Sequence, residues 1–287
     1  MTRPGAPATA VALTALAAAA LAAAGPPQFA VRVDAVRVDV LVTEAGRIVT
    51  GLGPGDFEVL DNGVPQTVDV VSFGELPINV ILALDMSESI GPRLRLLRNA
   101  GRSLVGALRP GDQAALITFS HAVALAADLS TETAAVRQAL DQVAAFGETA
   151  LVDAAYAGIV LGESDQARSL LIMFSDGLDT ASYLHPSAVH DMARRTDTVV
   201  YAVSANIPAR ATFLRELTRL SGGALLEETS VTSLDAAFLD ILDEFRHRYL
   251  LSYAPRGVTP GGWHEITVRV RGRQAEVRAR PGYLAGS

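Results

Sequence analysis

Three short stretches of this chain gather oxygen-bearing side chains beside apolar runs. Asp85-Met86-Ser87-Glu88-Ser89 follows Asn79-Val80-Ile81-Leu82-Ala83-Leu84, where a sharp turn ahead of Gly91-Pro92 would expose one carboxylate and two hydroxyls over a small volume. Gly147-Glu148-Thr149-Ala150-Leu151 offers a hydroxyl where a helix through Ala155 and Ile159 begins, and Ser175-Asp176-Gly177 sets a carboxylate directly after Leu170-Leu171-Ile172-Met173-Phe174. Side chains of these types accept hydrogen bonds from backbone amides at turns and helix starts, or, when several gather, hold a hard cation. Each stretch taken alone fits the local use as well as the second. Nucleophilic chemistry has little to build on: there is no cysteine and no Gly-x-Ser-x-Gly elbow, and His121, His185, His190, His247 and His264 show no His-Glu-x-x-His spacing.

The elements around these stretches predict where they sit. From about Pro77 to His247, continuous apolar runs (79–85, 114–119, 170–176 and 198–203) read as strands buried on both faces. Between them Leu94, Leu97, Leu104 and Leu108, then Val136, Leu140 and Val143, and last Leu234, Phe238, Ile241, Leu242 and Phe245 recur at helical spacing. Such alternation predicts an α/β fold, a doubly wound and mostly parallel sheet with helices on both faces. In such sheets the working site lies beyond the carboxyl ends of central strands, where Asp85 and Asp176 fall.

The flanks have a different period. Residues 29–73 alternate apolar and polar, with Val36, Val38, Val40 and Val42 on one buried face and Phe29, Val31 and Val33 in the opposite phase, so a bulge or turn is expected at Asp34-Ala35. Asp61-Asn62-Gly63 separates Phe57–Leu60 from Gln66–Val70 as a tight hairpin turn. Residues 248–284 return to period two through Ile266, Val268 and Val270, then Ala275 to Arg280. Neither flank closes a core alone, so the two are expected to pair as one small antiparallel β domain, with Tyr253 and Trp263 packed in it.

Taken together and in this order, the three oxygen-rich stretches resemble the metal-ion-dependent adhesion site of the von Willebrand factor type A (VWA) family, seen also in integrin inserted domains. Asp85, Ser87 and Ser89 match its first motif, Thr149 its second and Asp176 its third. The resemblance covers roughly residues 77–247, including Asp112–Phe119 as a second strand and Gly222-Gly223 as a late turn. The flanks, through Val49-Thr50-Gly51-Leu52, Asp56–Val59, Tyr249–Tyr253 and Arg278–Tyr283, look like a bacterial group of exported type A proteins, with Pro281 in place of a small or basic residue.

The resemblance implies a site of two carboxylates and three hydroxyls for a divalent cation: magnesium first, manganese next, calcium third, with zinc and copper disfavoured by the all-oxygen set. It implies a binding module and not an enzyme, with an Asp or Glu carboxylate of a protein partner replacing a metal-bound water. Two other readings stand beside it: a metal-assisted hydrolase, for which no general base is evident, and a purely structural scaffold in an envelope complex. Glu88 and Glu148 read as solvated neighbours of the site, and Asp153, Asp179 and Thr180 as either supporting groups or first-turn and loop polar residues.

Composition agrees with an exported module. The chain of 287 residues is 49% hydrophobic, long enough for a large domain and a small one, and its net charge of -7 with scattered basic residues argues against nucleic acid. All 24 basic residues are Arg, which fits a GC-rich bacterial genome. Residues 1–24 read as a signal peptide, with Arg3, an apolar stretch from Ala10 to Ala24 and small residues before Gly25. That stretch, mostly Ala, falls short of the ~20 residues a span needs, so removal is expected over an uncleaved anchor. Export without disulfides suits a periplasm or a cell surface.

Overall fold

A computed structural model describes residues 35–164, 166–204, 211–227 and 234–286. The expected signal peptide, the strand residues Phe29, Val31 and Val33, and half of the expected phase change at Asp34-Ala35 lie outside the described residues.

The first flank holds β1 (Val36–Glu44), β2 (Arg47–Ile48), β3 (Phe57–Asp61), β4 (Val64–Gln66) and β5 (Val70–Phe73). The middle follows as β6 (Ile78–Asp85), α1 (Leu94–Gly106), β7 (Gln113–Phe119), β8 (Val123–Ser130), α2 (Ala134–Gln142), α3 (Leu151–Gly162), β9 (Arg168–Ser175), α4 (Pro186–Arg195), β10 (Val199–Ser204), α5 (Thr212–Ser221), β11 (Leu225–Glu227) and α6 (Leu234–Arg246). The last flank holds β12 (Tyr249–Tyr253), β13 (Gly262–Val270), β14 (Glu276–Arg278) and β15 (Gly282–Ala285).

The middle forms a six-stranded sheet in the order β11-β10-β9-β6-β7-β8, parallel except for β8, which runs antiparallel to β7 at the edge. Alternate residues of each strand enter two separate cores. Val80, Leu82 and Leu84 of β6 pack with α1, α2 and α6, while Ile81 and Ala83 pack with α3, α4 and α5. Both faces are therefore covered, as the continuous apolar runs require. The chain places β7 on one side of β6 and β9 on the other, so a crevice opens between the carboxyl ends of β6 and β9. On the far side of the sheet, Gly223 passes so close to β10 that a Cβ there would lie 1.9 Å from the Val200 carbonyl oxygen.

The flanks build two antiparallel sheets around a third core. One has the order β14-β1-β12-β5 with β2 beside β1, the other β15-β13-β3-β4. First-flank strands pair directly with last-flank strands: β1 with β12 (Val38 opposite Leu251) and β3 with β13 (Val59 opposite Val268). Their shared core contains Val38, Val40, Phe57, Val59, Tyr249, Leu251, Tyr253 and Ile266. Asn62 and Gly63, both at positive φ, turn β3 into β4 with Asp61 opposite Val64.

Three details differ from the sequence reading. β1 is buried on both faces, because the face opposite the valines meets the α/β layers, where Asp39 forms a buried ion pair with Arg168 at the start of β9. The expected strand Gln66–Val70 is broken after Gln66, since β4 and β5 lie in different sheets and the chain crosses between them. Trp263 remains 42% exposed, with the Arg194 guanidinium 5.6 Å from its ring centroid.

Candidate metal centre

β6 ends on the buried carboxylate of Asp85. Its Oδ1 accepts the Ser87 N–H at 2.8 Å, and its Oδ2 accepts the Ser175 hydroxyl at 2.7 Å, which ties the end of β6 to the end of β9. The chain then turns through a 3-10 segment, Glu88–Arg93, before α1. Ser87 and Ser89 place their hydroxyl oxygens 3.1 Å apart, and the Ser89 hydroxyl donates to Asp176 Oδ2 at 3.0 Å. Asp176 Oδ1 accepts the Leu178 N–H at 3.2 Å. The crevice thus brings Asp85, Ser87, Ser89 and Asp176 together from two strand ends.

Thr149 reaches this place through its backbone. The segment before it is fastened to the β6 turn by Phe146 N–H to the Met86 carbonyl (2.7 Å) and Glu88 N–H to the Gly147 carbonyl (3.1 Å). On its other side, the Thr149 N–H donates to the Thr180 hydroxyl (3.0 Å), and the Thr149 carbonyl accepts from Thr180 N (2.9 Å) and Ala181 N (3.1 Å). Its side chain is buried, and among the described residues its hydroxyl makes no hydrogen bond to the other four.

The local alternative, that these hydroxyls are helix caps, has a direct geometric test. Ser87 occupies the N-cap position of the 3-10 segment without a side-chain capping bond, and Ala150, not Thr149, is the N-cap residue of α3. The first amides of α3 are satisfied instead by a distant loop: Asp179 Oδ1 accepts from Leu151 N (2.9 Å) and Val152 N (3.3 Å), and the Ser182 hydroxyl from Val152 N (3.0 Å) and Asp153 N (3.2 Å). The hydroxyls of Ser87 and Thr149 are therefore not spent on their own helices.

Burial pushes the Asp85 carboxyl up from its ordinary range; hydrogen bonds from Ser87 and Ser175 oppose this, and the nearby Asp176 charge adds to it. Among the described residues no Arg or His forms an ion pair with either carboxylate. No group of three or more His, Asp and Glu side chains suitable for a metal occurs among them either. A cation here would rely on two carboxylates, hydroxyls and water, a set that suits hard ions. Two acids at adjacent strand ends without a basic partner among the described residues are the arrangement such an ion would relieve.

Ser175, which orients Asp85, and Ser182 were not legible as contributors in the sequence. Asp179, read as either a supporting group or a loop residue, caps with Ser182 a helix that begins some thirty residues earlier in the chain. Glu88 and Glu148, by contrast, are exposed, in keeping with their reading as solvated neighbours.

Residues 80–178 match the von Willebrand factor type A domain. The matched span runs from β6 to just past β9 and contains all five site residues. Solved structures carry the same fold at low identity. A von Willebrand factor type A protein from Catenulispora acidiphila is 11% identical with a TM-score of 0.54, covering 80% of this chain and 72% of its own. An aerotolerance-related membrane protein from Bacteroides fragilis is 14% identical with a TM-score of 0.50, covering 58% and 98%. Proximal thread matrix protein 1 from the mussel byssus, with a zinc-occupied MIDAS motif, is 18% identical with a TM-score of 0.53, covering 63% and 48%. No curated protein matches the sequence. The matched span and these structures show a type A-like α/β fold built on the mixed six-stranded sheet. No described helix is long and apolar enough to cross a membrane.

Proposed function

We propose that this chain is an exported VWA protein that binds a protein partner through a divalent cation held by Asp85, Ser87, Ser89, Thr149 and Asp176. A partner Asp or Glu carboxylate completes the ion's coordination, and the chain performs no catalysis. Residues 1–24 are its export signal, 77–247 its VWA domain, and 29–73 with 248–284 a β domain formed by the two flanks. The observation that carries this reading is the freedom of the Ser87 and Thr149 hydroxyls from capping, beside two carboxylates without a basic partner among the described residues. With two negative charges against a dication the site stays electrophilic, which is what an incoming carboxylate requires. VWA neighbours from a bacterial membrane protein and a byssus matrix protein lend support to a binding role at a surface.

Magnesium fits the donor set first, with manganese and calcium behind it. The zinc-occupied motif of the mussel protein makes zinc an ion to include in the test. The experiment is a thermal melt of chelator-stripped protein with each ion added. At one hundred times its Kd an ion stabilises by about 2.7 kcal/mol, a rise of about 5–10 °C for a domain of this size. Asp85→Asn should abolish the rise without lowering the melt of the metal-free protein, because it removes a buried charge that faces Asp176. An unchanged melt of the wild-type protein with every ion would overturn the reading.

A further inference from the structure

β13 buries His264 and Ile266 in the sandwich, so the pleat turns Trp263 and Glu265 to its other face, where both are exposed. That face borders a cleft of about 450 Å3, a volume within the roughly 300–1,000 Å3 of small-ligand sites. Trp263, Pro281 and Leu284 supply its apolar lining, and Leu284 stands opposite Trp263 in the β13–β15 pairing. Across from them come Asp191 and Arg194 of α4 and Arg219 of α5. The cleft therefore lies where the sandwich meets the α/β layers, and it contains the chain's single tryptophan.

The indole is held in place. A Cβ at Gly282 would lie 2.4 Å from Trp263 Cζ2, so the ring rests on bare backbone of β15, and a ring fixed in advance loses little entropy on contact. The Arg194 guanidinium, 5.6 Å from the ring centroid, is near the outer limit of a cation–π contact. Arg194 donates to Asp191 at 2.8 Å, and Arg219 to Glu216 at 3.0 and 2.7 Å.

Charge and hydrogen-bonding capacity narrow the occupant. Asp191 and Glu265 balance Arg194 and Arg219, so a phosphate or sulfate drawn to the guanidiniums would meet carboxylates, and a cation would meet guanidiniums. Guanidiniums only donate and carboxylates only accept, and a hydroxyl is a neutral group that serves both. An uncharged molecule with hydroxyls along its edge and an apolar face to lay against an indole is a sugar ring. We propose that this cleft is a binding site for a neutral oligosaccharide. It is independent of the metal-dependent reading: α4 ends at the cleft and leads into the amino end of β10, whereas Asp85 and Asp176 stand at the carboxyl ends of β6 and β9.

The test is titration of the full chain with hexasaccharides of β-linked glucose, α-linked glucose and N-acetylglucosamine, read by the emission of Trp263. The expected result is a saturable change with at least one of them, at a Kd of about 1 mM or tighter, the same with and without chelator. Glu265→Ala, at an exposed position that leaves the fold intact, should weaken binding about tenfold. Trp263→Ala, followed by calorimetry with its fold checked by circular dichroism, should lose about tenfold or more, and Trp263→Phe, which keeps a flat apolar ring, should recover part of that loss. No saturable response to any of the three, or undiminished affinity in Glu265→Ala and Trp263→Phe, would overturn the proposal. Tighter and salt-sensitive binding of a sulfated heparin hexasaccharide would also overturn it, by making the cleft an anion site. Binding that chelator abolishes would place the sugar at the metal centre and overturn it equally.

Discussion

Replacement of Asp61 should be among the most damaging single changes in the flanking sandwich. Asp61 is wholly buried at the end of β3, and its carboxylate accepts the hydroxyls of Tyr253 (3.0 Å) and Tyr283 (2.9 Å) and is bonded to His264 Nδ1 at 2.7 Å. These partners belong to β12, β15 and β13, so one side chain joins the two sheets. In Asp61→Ala three buried donors lose their acceptor, each at a cost of about 1–3 kcal/mol. The Tyr283 hydroxyl and His264 Nδ1 are 3.2 Å apart and can satisfy one another in part, which trims the total to about 3–5 kcal/mol. Asp61→Asn keeps the volume and one acceptor oxygen and should cost about half as much. Urea unfolding followed by fluorescence of Trp263, the only tryptophan and the neighbour of His264, reads the sandwich directly, while helical circular dichroism reads the α/β layers. The expected order of midpoints is wild type, Asp61→Asn, Asp61→Ala. An Asp61→Ala protein within about 0.5 kcal/mol of wild type would show that water or local repacking replaces the carboxylate and that the buried bonds count for little.

Alkaline pH should destabilise the same region. Burial, and after it the Asp61 carboxylate, holds the Tyr253 and Tyr283 phenols above their ordinary range. Because the folded values are raised, their contribution is complete below the unfolded tyrosine value of about 10 and is lost above it, by up to about 1.4 kcal/mol per pH unit for each ring; melting temperatures between pH 9 and 12 should fall less steeply in Tyr253→Phe. Arg168→Ala should cost about 3–5 kcal/mol in urea unfolding by leaving Asp39 buried without its partner, and Asp39→Asn in the same chain should recover part of that loss. Ser175→Ala, which removes the donor to Asp85 Oδ2, should raise the magnesium concentration needed for half of the thermal shift by about ten- to a hundredfold, and an unchanged titration would deny Ser175 a positioning role.

What the sequence made legible were the features that depend on neighbours along the chain. The strands β6, β7, β9 and β10 announce themselves as continuous apolar runs because both of their faces are covered, and Asn62-Gly63 specifies its hairpin through backbone angles alone. β8 went unread because it is an edge strand with four of its eight residues exposed and no alternation to mark it. The oxygen donors were legible by type and order, but whether a hydroxyl caps a helix depends on what else reaches the same amides. At α3 that is settled by Asp179 and Ser182, far along the chain. Burial of Asp39 was hidden for the same reason, since its partner Arg168 stands 129 positions along the chain, at the start of β9.

The attachment of the sandwich has a consequence for the candidate centre. Arg168 joins Asp39 at the start of β9, Arg280 donates to the Thr196 carbonyl ahead of β10 (3.0 Å), and Arg248 donates to the carbonyls of Gly222 ahead of β11 (2.7 Å) and of Asp39 (3.0 Å). All three grips are on the amino ends of parallel strands, whereas Asp85 and Asp176 stand at the carboxyl ends. An eight-residue strand such as β9 separates the two rims by roughly 25 Å. Pairing the flanks therefore closes a third core without covering the crevice, and hydrogen bonds from the buried guanidiniums to carbonyls and to the Asp39 carboxylate fasten that core to the strand starts. The sandwich and the oxygen-lined crevice thus stand at opposite ends of the parallel strands.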